Sequence, residues 1–417
     1  MQGSGLIILA ILLMIVLNVL MVFATIAVKT LRTMEKRRVK DLRDRLEPAL
    51  YDYLVTGEVS SVLRQTNNKD RNILSNMIIE LLTALRGSEN QRMMELAAEL
   101  GLTERDLTQI NSRGRWRRAK AAENLGFYGG PEAAGPVSSL LKERDETIRA
   151  VAARALSRIG TKEAAETLSG YLNSKSELTS LRMAENLERI GPLAVEPLVE
   201  LVEREEDDER RAQILAARIL GNLRVQEGRP ALRRAIVRHW NTDLRAQATL
   251  ALGRIGNPDD VPAIIEAAGD DSWPVRVQAA NALGMIGEVS TVSTLEHLAT
   301  DQEWWVRLNA SRALINIGDE GEKALVRILE NSDRFARDRA AATLQERGVI
   351  RKMAGEMSED NDEGKYAAQV IRSMVRAGAT KHLERLSRTL PKKKERQALG
   401  EVLAEARAAD DMETNDA

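Results

Sequence analysis

One phrase, close to V-R-x-x-A-A-x-x-L-G-x-I-G, recurs along this 417-residue chain and constrains its fold more than any other feature. Clean copies are IRAVAARALSRIG (148–160), LRAQATLALGRIG (244–256), VRVQAANALGMIG (275–287) and VRLNASRALINIG (306–318). Weaker copies are RRAKAAENLGFYG (117–129), ARDRAAATLQERG (336–348) and YAAQVIRSMVRAG (366–378). Two more, TSLRMAENLERIG (179–191) and AQILAARILGNL (212–223), lack the arginine at its usual place. The closing glycines, at 129, 160, 191, 256, 287, 318, 348 and 378, set a period of about 31 residues with one gap of 65. Within a copy the apolar positions recur at three- and four-residue steps, which makes one face of a helix. The last glycine can take positive φ and cap it. A second apolar helix follows each copy, as in VPAIIEAAG (261–269) and VSTLEHLAT (292–300). A helical hairpin of this kind cannot bury its own apolar face, so stacking must complete the core. The pattern predicts an all-α chain, with an α-solenoid of helical hairpins over 115–405.

Composition supports one elongated array over several compact domains. Aromatics make up only 3% of the chain, prolines number 10, and alternating strand patterns are missing. The 61 basic and 62 acidic residues nearly cancel, against the basic excess that nucleic-acid binding wants, so no nucleic acid is expected. Zero cysteines exclude thiolate metal sites and a cysteine nucleophile, and the three histidines, His239, His297 and His382, are too scattered for a metal cluster. There is no glycine-rich phosphate loop, HExxH or serine elbow, and no carboxylate pair in an apolar setting. The expectation is a protein that is not an enzyme and takes no cofactor.

The N-terminus carries the second strong signal. No charged residue lies between Gln2 and Val28, and Leu6 to Val28 is almost wholly apolar, with Asn18 and Thr25 as its polar members. At 1.5 Å per residue this run reaches roughly 35 Å, enough to cross a bilayer. A signal peptide would carry a basic residue first and a cleavage site after, and neither is present. Residues 1–29 are therefore expected to be a retained transmembrane anchor. Lys29, Arg32, Lys36, Arg37, Arg38, Lys40, Arg43 and Arg45 follow it. The positive-inside bias then places the N-terminus outside and the repeats on the cytoplasmic side of an inner or plasma membrane, with cations beside an anionic leaflet gaining about 1 kcal/mol each.

Residues 30–48 are expected to continue as a basic helix stopped at Pro48. From 49 to 114, apolar stripes separated by Thr56-Gly57, Asn67-Asn68, Gly87-Ser88 and Gly101 predict three or four short helices that cap the array. Their methionine stripe is expected to fill core. The run Glu203–Glu209 reads as a solvated loop, KKKER (392–396) as a basic patch on a terminal helix, and 406–417 as a disordered acidic tail.

The recurring phrase resembles HEAT repeats, particularly the short variety also found in phycobilin lyases, over roughly 112–400. The resemblance implies that the arginine-bearing helix lines the concave face of the array. It also implies a ladder between repeats, built from an Asp in the turn and an Arg in the following helix. Asp270 with Arg276, and Asp301 with Arg307, have the family's spacing of six. Arg118, Arg149, Arg245 and Arg337 keep the arginine without that acidic partner, and Ser180 and Gln213 replace it, so the ladder should be interrupted around 170–230.

The aromatic residues fall where that face begins. Trp273 and Trp304 stand three residues before the arginine; Trp116, Trp305 and Phe335 stand two before; Trp240 stands five before Arg245. Two readings are open: a row of plugs packed between turns, or a rim of tryptophan beside arginine of the sort that anchors protein partners. The candidate partner-binding residues are Trp116, Trp240, Trp273, Trp304, Trp305, Phe335, Arg245, Arg276, Arg307 and Arg337. The expected role is a membrane-anchored scaffold holding a protein partner, itself envisaged as an integral membrane protein. The alternative, which the resemblance to lyases implies, is a chromophore-handling factor.

Overall fold

A computed structural model describes residues 2–67, 70–204, 207–238, 241–357, 359 and 361–415, with the side chains of 2–13, 15, 16, 207, 238 and 406–415 set aside. Among these residues every regular element is a helix. The chain forms two compact units, Met1–Ala164 and Ala165–Ala417.

The first unit begins with one long helix, α1 (Gln2–Thr56). Its apolar part is bare: Leu17, Leu20, Met21, Phe23 and Ile26 are all more than half exposed. Asn18 and Thr25 donate to the carbonyls of Met14 and Met21 one turn back, so their polar groups are satisfied within the helix. Length and composition would let this helix cross a membrane. Pro48 does not stop it, contrary to expectation. Leu42, Leu46, Leu50 and Tyr53 form a buried stripe that runs past the proline, and the burial of Leu50 and Tyr53 outweighs the lost backbone bond. This stripe packs on α2 (Arg71–Ala84) and α3 (Gly87–Glu99), with Met77, Met93 and Leu96 in the shared core. The methionine stripe is thus core filling.

Two ion pairs, Arg38 with Asp70 at 2.6 Å and Arg43 with Glu80, fix the basic stretch of α1 to these capping helices. A buried polar cluster then ties α2 to α4 (Leu102–Gln109) and α5 (Arg115–Tyr128). Asp106 accepts from Asn124 at 2.8 Å and from the Tyr128 hydroxyl, which also lies 2.9 Å from Ser75. Burial, followed by the Asp106 charge, drives the Tyr128 phenol far above its ordinary pKa, so it stays a hydrogen-bond donor. The first unit ends with α6 (Glu146–Ile159) and the start of the helix after it.

In the second unit the arginine-bearing helices are α7 (Glu177–Ile190), α8 (Arg210–Leu223), α9 (Thr242–Ile255), α10 (Trp273–Ile286), α11 (Trp304–Ile317), α12 (Arg334–Glu346) and α13 (Asp362–Arg376). From α8 to α12 each packs on the next, and the intervening second helices pack on one another, giving two layers. Glycines within the phrase allow the approach. A Cβ added to Gly221 would meet Ala251 Cα at 2.7 Å, one added to Gly284 would meet Ala313 Cβ at 2.6 Å, and Gly253 lies as tightly on Ala282. The final helix, Lys393–Asn415, continues through most of the acidic tail that was expected to be disordered, because Ala, Glu and Met in that stretch are strong helix formers.

The closing glycines take positive φ as expected at 160, 191, 256, 287, 318, 348 and 378, whereas Gly129 stays helical (φ −73°) and Gly130 takes the turn instead. In the long gap the same cap is made by Arg224, at φ 53°, a conformation that costs a side-chain-bearing residue roughly 1 kcal/mol. Arg224→Gly should therefore raise stability by about 1 kcal/mol, measured as a higher urea midpoint of full-length protein in detergent. An unchanged or lower midpoint would show that Arg224 makes compensating contacts.

Candidate functional site

Among the described residues, five arginines of the phrase close the loop that precedes their own helix. Arg276 Nη1 donates to the carbonyls of Asp270 (2.9 Å) and Asp271 (3.0 Å), and Arg337 to those of Asn331 (2.7 Å) and Ser332 (3.0 Å). Arg307, Arg149 and Arg118 do the same six and five residues back. In the divergent copies Ser180 reaches Ser174 O and Gln213 reaches Arg204 O, so a shorter donor keeps the loop closed.

The carboxylates work differently from the expected pairing. At a spacing of six, Asp270 and Asp301 offer Arg276 and Arg307 only their backbone oxygens. Their side chains reach back to the preceding repeat. Arg245 grips Asp270 through two bonds of 2.8 and 3.0 Å, and Arg276 grips Asp301 at 2.7 and 3.0 Å. The pairing residue thus lies 25 positions after the arginine. Glu143 occupies that place after Arg118, 2.9 Å away, although the N–H is not aimed at its oxygen. The backbone oxygen of each loop aspartate faces the arginine that follows while its carboxylate faces the arginine of the preceding repeat, so linear spacing alone pointed to the wrong partner.

At Arg307 the ladder runs out. The corresponding loop position is Asn331, which keeps the turn by accepting from Asp333 N (2.8 Å) but carries no charge. Arg307 is 6% exposed, its Nε has no partner, and its guanidinium lies 5.6 Å from the Phe335 ring. A second ladder, unforeseen, joins the other layer. The fully buried Asp260 binds Arg229 at 2.7 and 3.2 Å and also Arg233. The separation of Arg229 from Asp260 is one repeat, 31 residues, and that was the signal available in the sequence.

The aromatic residues are not buried plugs. Trp273 is 42% exposed, Trp304 44%, Trp305 53% and Phe335 67%, all at the N-terminal ends of α10, α11 and α12. The Trp304 and Trp305 rings meet edge to face, with centroids 4.5 Å apart, and the Arg339 guanidinium sits 5.4 Å from the Trp304 ring. Trp116 is also exposed, 5.3 Å from the Arg115 guanidinium, in the first unit. Trp240 and His239 lie outside the described residues. The arginines of the phrase are engaged with loops and carboxylates, leaving the rings as the open part of this rim.

The family model for HEAT repeats matches residues 107–188, 136–218, 195–276 and 261–345, more than half of the chain. The chain belongs to the HEAT-repeat family. HEAT repeats in general mediate protein–protein interaction and are in general not enzymatic. None of the curated protein sequences compared matches this HEAT-repeat chain. Among solved structures, an engineered protein is 20% identical, with TM-score 0.34, over 83% of this chain and 97% of its own. Human deoxyhypusine hydroxylase in complex with glycerol is 19% identical, with TM-score 0.27, over 60% and 99%. The complex of CpcE and CpcF of phycocyanin lyase from Nostoc sp. is 19% identical, with TM-score 0.28, over 58% and 94%.

Two outcomes follow from the ladder. Asn331→Asp places a carboxylate beside the buried Arg307 cation and should raise stability by roughly 1 kcal/mol in urea unfolding; no gain would mean that the Phe335 contact already compensates the charge. Burial pushes Asp270 and Asp301 upward, but the bonds from Arg245 and Arg276 and from a backbone N–H outweigh it, so both carboxyls titrate below the ordinary value. Their contribution is present above pH about 4, the unfolded value, and is lost as pH falls through the lower folded value. Acid unfolding of Asp270→Asn/Asp301→Asn should accordingly depend less on pH below 4 than that of the wild type, with a lower stability at pH 7.

Proposed function

We propose that this HEAT-repeat protein is a single-pass, membrane-anchored scaffold that holds a protein partner against the face made by its arginine-bearing helices, on the cytoplasmic side. The observation that carries this reading is the row of Trp273, Trp304, Trp305 and Phe335, exposed in register at the ends of successive helices. Large rings left open beside fixed guanidinium groups supply contact area at low entropy cost. The unbroken helix α1 supports the anchor. Its bare apolar part runs without a turn into a stretch held by Arg38–Asp70, ten residues beyond Val28, or about 15 Å. Among the described residues no constellation favours chromophore handling.

Membrane fractionation followed by capture in mild detergent tests both halves. The full chain should resist alkaline extraction and its repeats should be cut only when protease is admitted to the cytoplasmic side. Trp304→Ala/Trp305→Ala should lose at least tenfold of the captured partner while keeping its helical circular dichroism. Release by alkali would sink the anchor, and undiminished capture by the double variant would sink the rim.

A further inference from the structure

Resting on that reading of the rim as a protein-binding surface, we propose that the junction of α11 and α12 takes an acidic protein segment, one of whose side-chain carboxylates completes the arginine ladder at Arg307. The observation that points there is a buried fork of N–H groups with nothing in it. Arg307 spends Nη1 on the carbonyls of Asp301 (2.6 Å) and Gln302 (2.8 Å). Its Nε is buried without an acceptor, and its Nη2 makes no hydrogen bond either, yet is not sealed from solvent. In the two preceding repeats the same pair of groups, Nε and Nη2 of Arg245 and of Arg276, holds a carboxylate by both its oxygens. The fork is therefore shaped for a planar anion, and a buried guanidinium left without one is costly.

The residue standing where that carboxylate belongs adds a donor instead of an acceptor. Asn331 Oδ1 accepts from Asp333 N, as Asp301 Oδ1 accepts from Glu303 N, so the amide nitrogen Nδ2 replaces the second carboxylate oxygen. Arg307 and Asn331 thus both bring donors to a place where the array elsewhere supplies an acceptor. The charge around the junction has the matching sign. Arg334 and Arg339 join Arg307 there, and their carboxylate neighbours stand off beyond hydrogen-bond reach, Asp338 at 3.6 Å and Glu346 at 3.9 Å. The Arg339 Nε is likewise buried without an acceptor. Asp301 is committed to Arg276 and Asp333 to the Phe335 N–H, while Glu303, exposed just before Trp304, is an opposing charge outnumbered by the three guanidinium groups. Phe335 lies against Arg307 and Trp304 against Arg339, so an entering carboxylate meets its cations beside apolar ring faces, where less water competes for the bond.

The test uses full-length protein in detergent micelles and fluorescein-labelled peptides, (Leu-Asp-Gly)4, (Leu-Asn-Gly)4 and (Leu-Lys-Gly)4, read by anisotropy. The first should bind roughly tenfold tighter or more than the second, the effect of one charge-assisted hydrogen bond, and the third should not bind. Asn331→Asp supplies the carboxylate within the chain. It should fold at least as stably as the wild type and weaken (Leu-Asp-Gly)4 by roughly tenfold or more. Ser332→Asp adds the same charge one residue away, outside the fork, and should weaken the peptide by less than about threefold. Equal binding of the Asp and Asn peptides by folded protein would overturn the proposal. So would full binding to Asn331→Asp, or an equal loss in Ser332→Asp, which would reduce the interaction to surface charge. Tighter binding of a phosphoserine peptide of the same pattern would give the fork to a phosphoryl group and overturn the carboxylate. Capture of the membrane partner separates this proposal from the rim itself. Loss by Trp304→Ala/Trp305→Ala with retention by Asn331→Asp fells the acidic occupant and leaves the rim; the reverse fells the rim and leaves the acidic occupant.

Discussion

The close contact of glycine with alanine between successive arginine-bearing helices is the constraint on which the second unit depends. A Cβ at Gly221 or Gly284 would overlap the neighbouring helix, so these positions tolerate no side chain. Glycine inside a helix is unfavourable by about 1 kcal/mol, and here the loss is offset by packing that larger residues would prevent. The same contact fixes the pitch of the array.

The arginines hold the array together in two directions. Within a repeat, the guanidinium satisfies two loop carbonyls that would otherwise be orphaned between helices. Between repeats, its remaining N–H groups bind a carboxylate of the next loop. One planar group with five donors can do both, which serine and glutamine cannot. Ser180 and Gln213 keep only the first task. Where the carboxylate is missing, at Asn331, a buried cation faces an aromatic ring instead. Partial exposure of Trp273, Trp304 and Trp305 beside this scaffold leaves rings that are positioned yet uncovered.

The first unit solves a different problem, the passage from an apolar helix to a folded core. A break at Pro48 would have made the connection flexible. Instead Leu46, Leu50 and Tyr53 remain on one buried stripe across the proline, and Arg38 and Arg43 are tied to acidic residues of the capping helices. Packing energy over several side chains exceeds the loss of one backbone bond.

The sequence by itself determined the repeat, its period, the helix-ending glycines and the long apolar helix. These depend on residue type at short range: small and apolar side chains at helical steps, and glycine where φ must be positive. It also located Trp273 with Trp304, and Trp305 with Phe335, at equivalent places, because periodicity is visible without coordinates. Whether those rings plug or protrude could not be read there, since exposure depends on the neighbouring repeat. Only the tertiary structure decided that Asp270 belongs to Arg245 rather than Arg276, that Asp260 is shared by two arginines, and that Arg224 can stand where glycine is usual. Each of these is a contact across one repeat or a cap set by packing, and the distance between such groups is fixed by how helices stack, not by how far apart they lie along the chain.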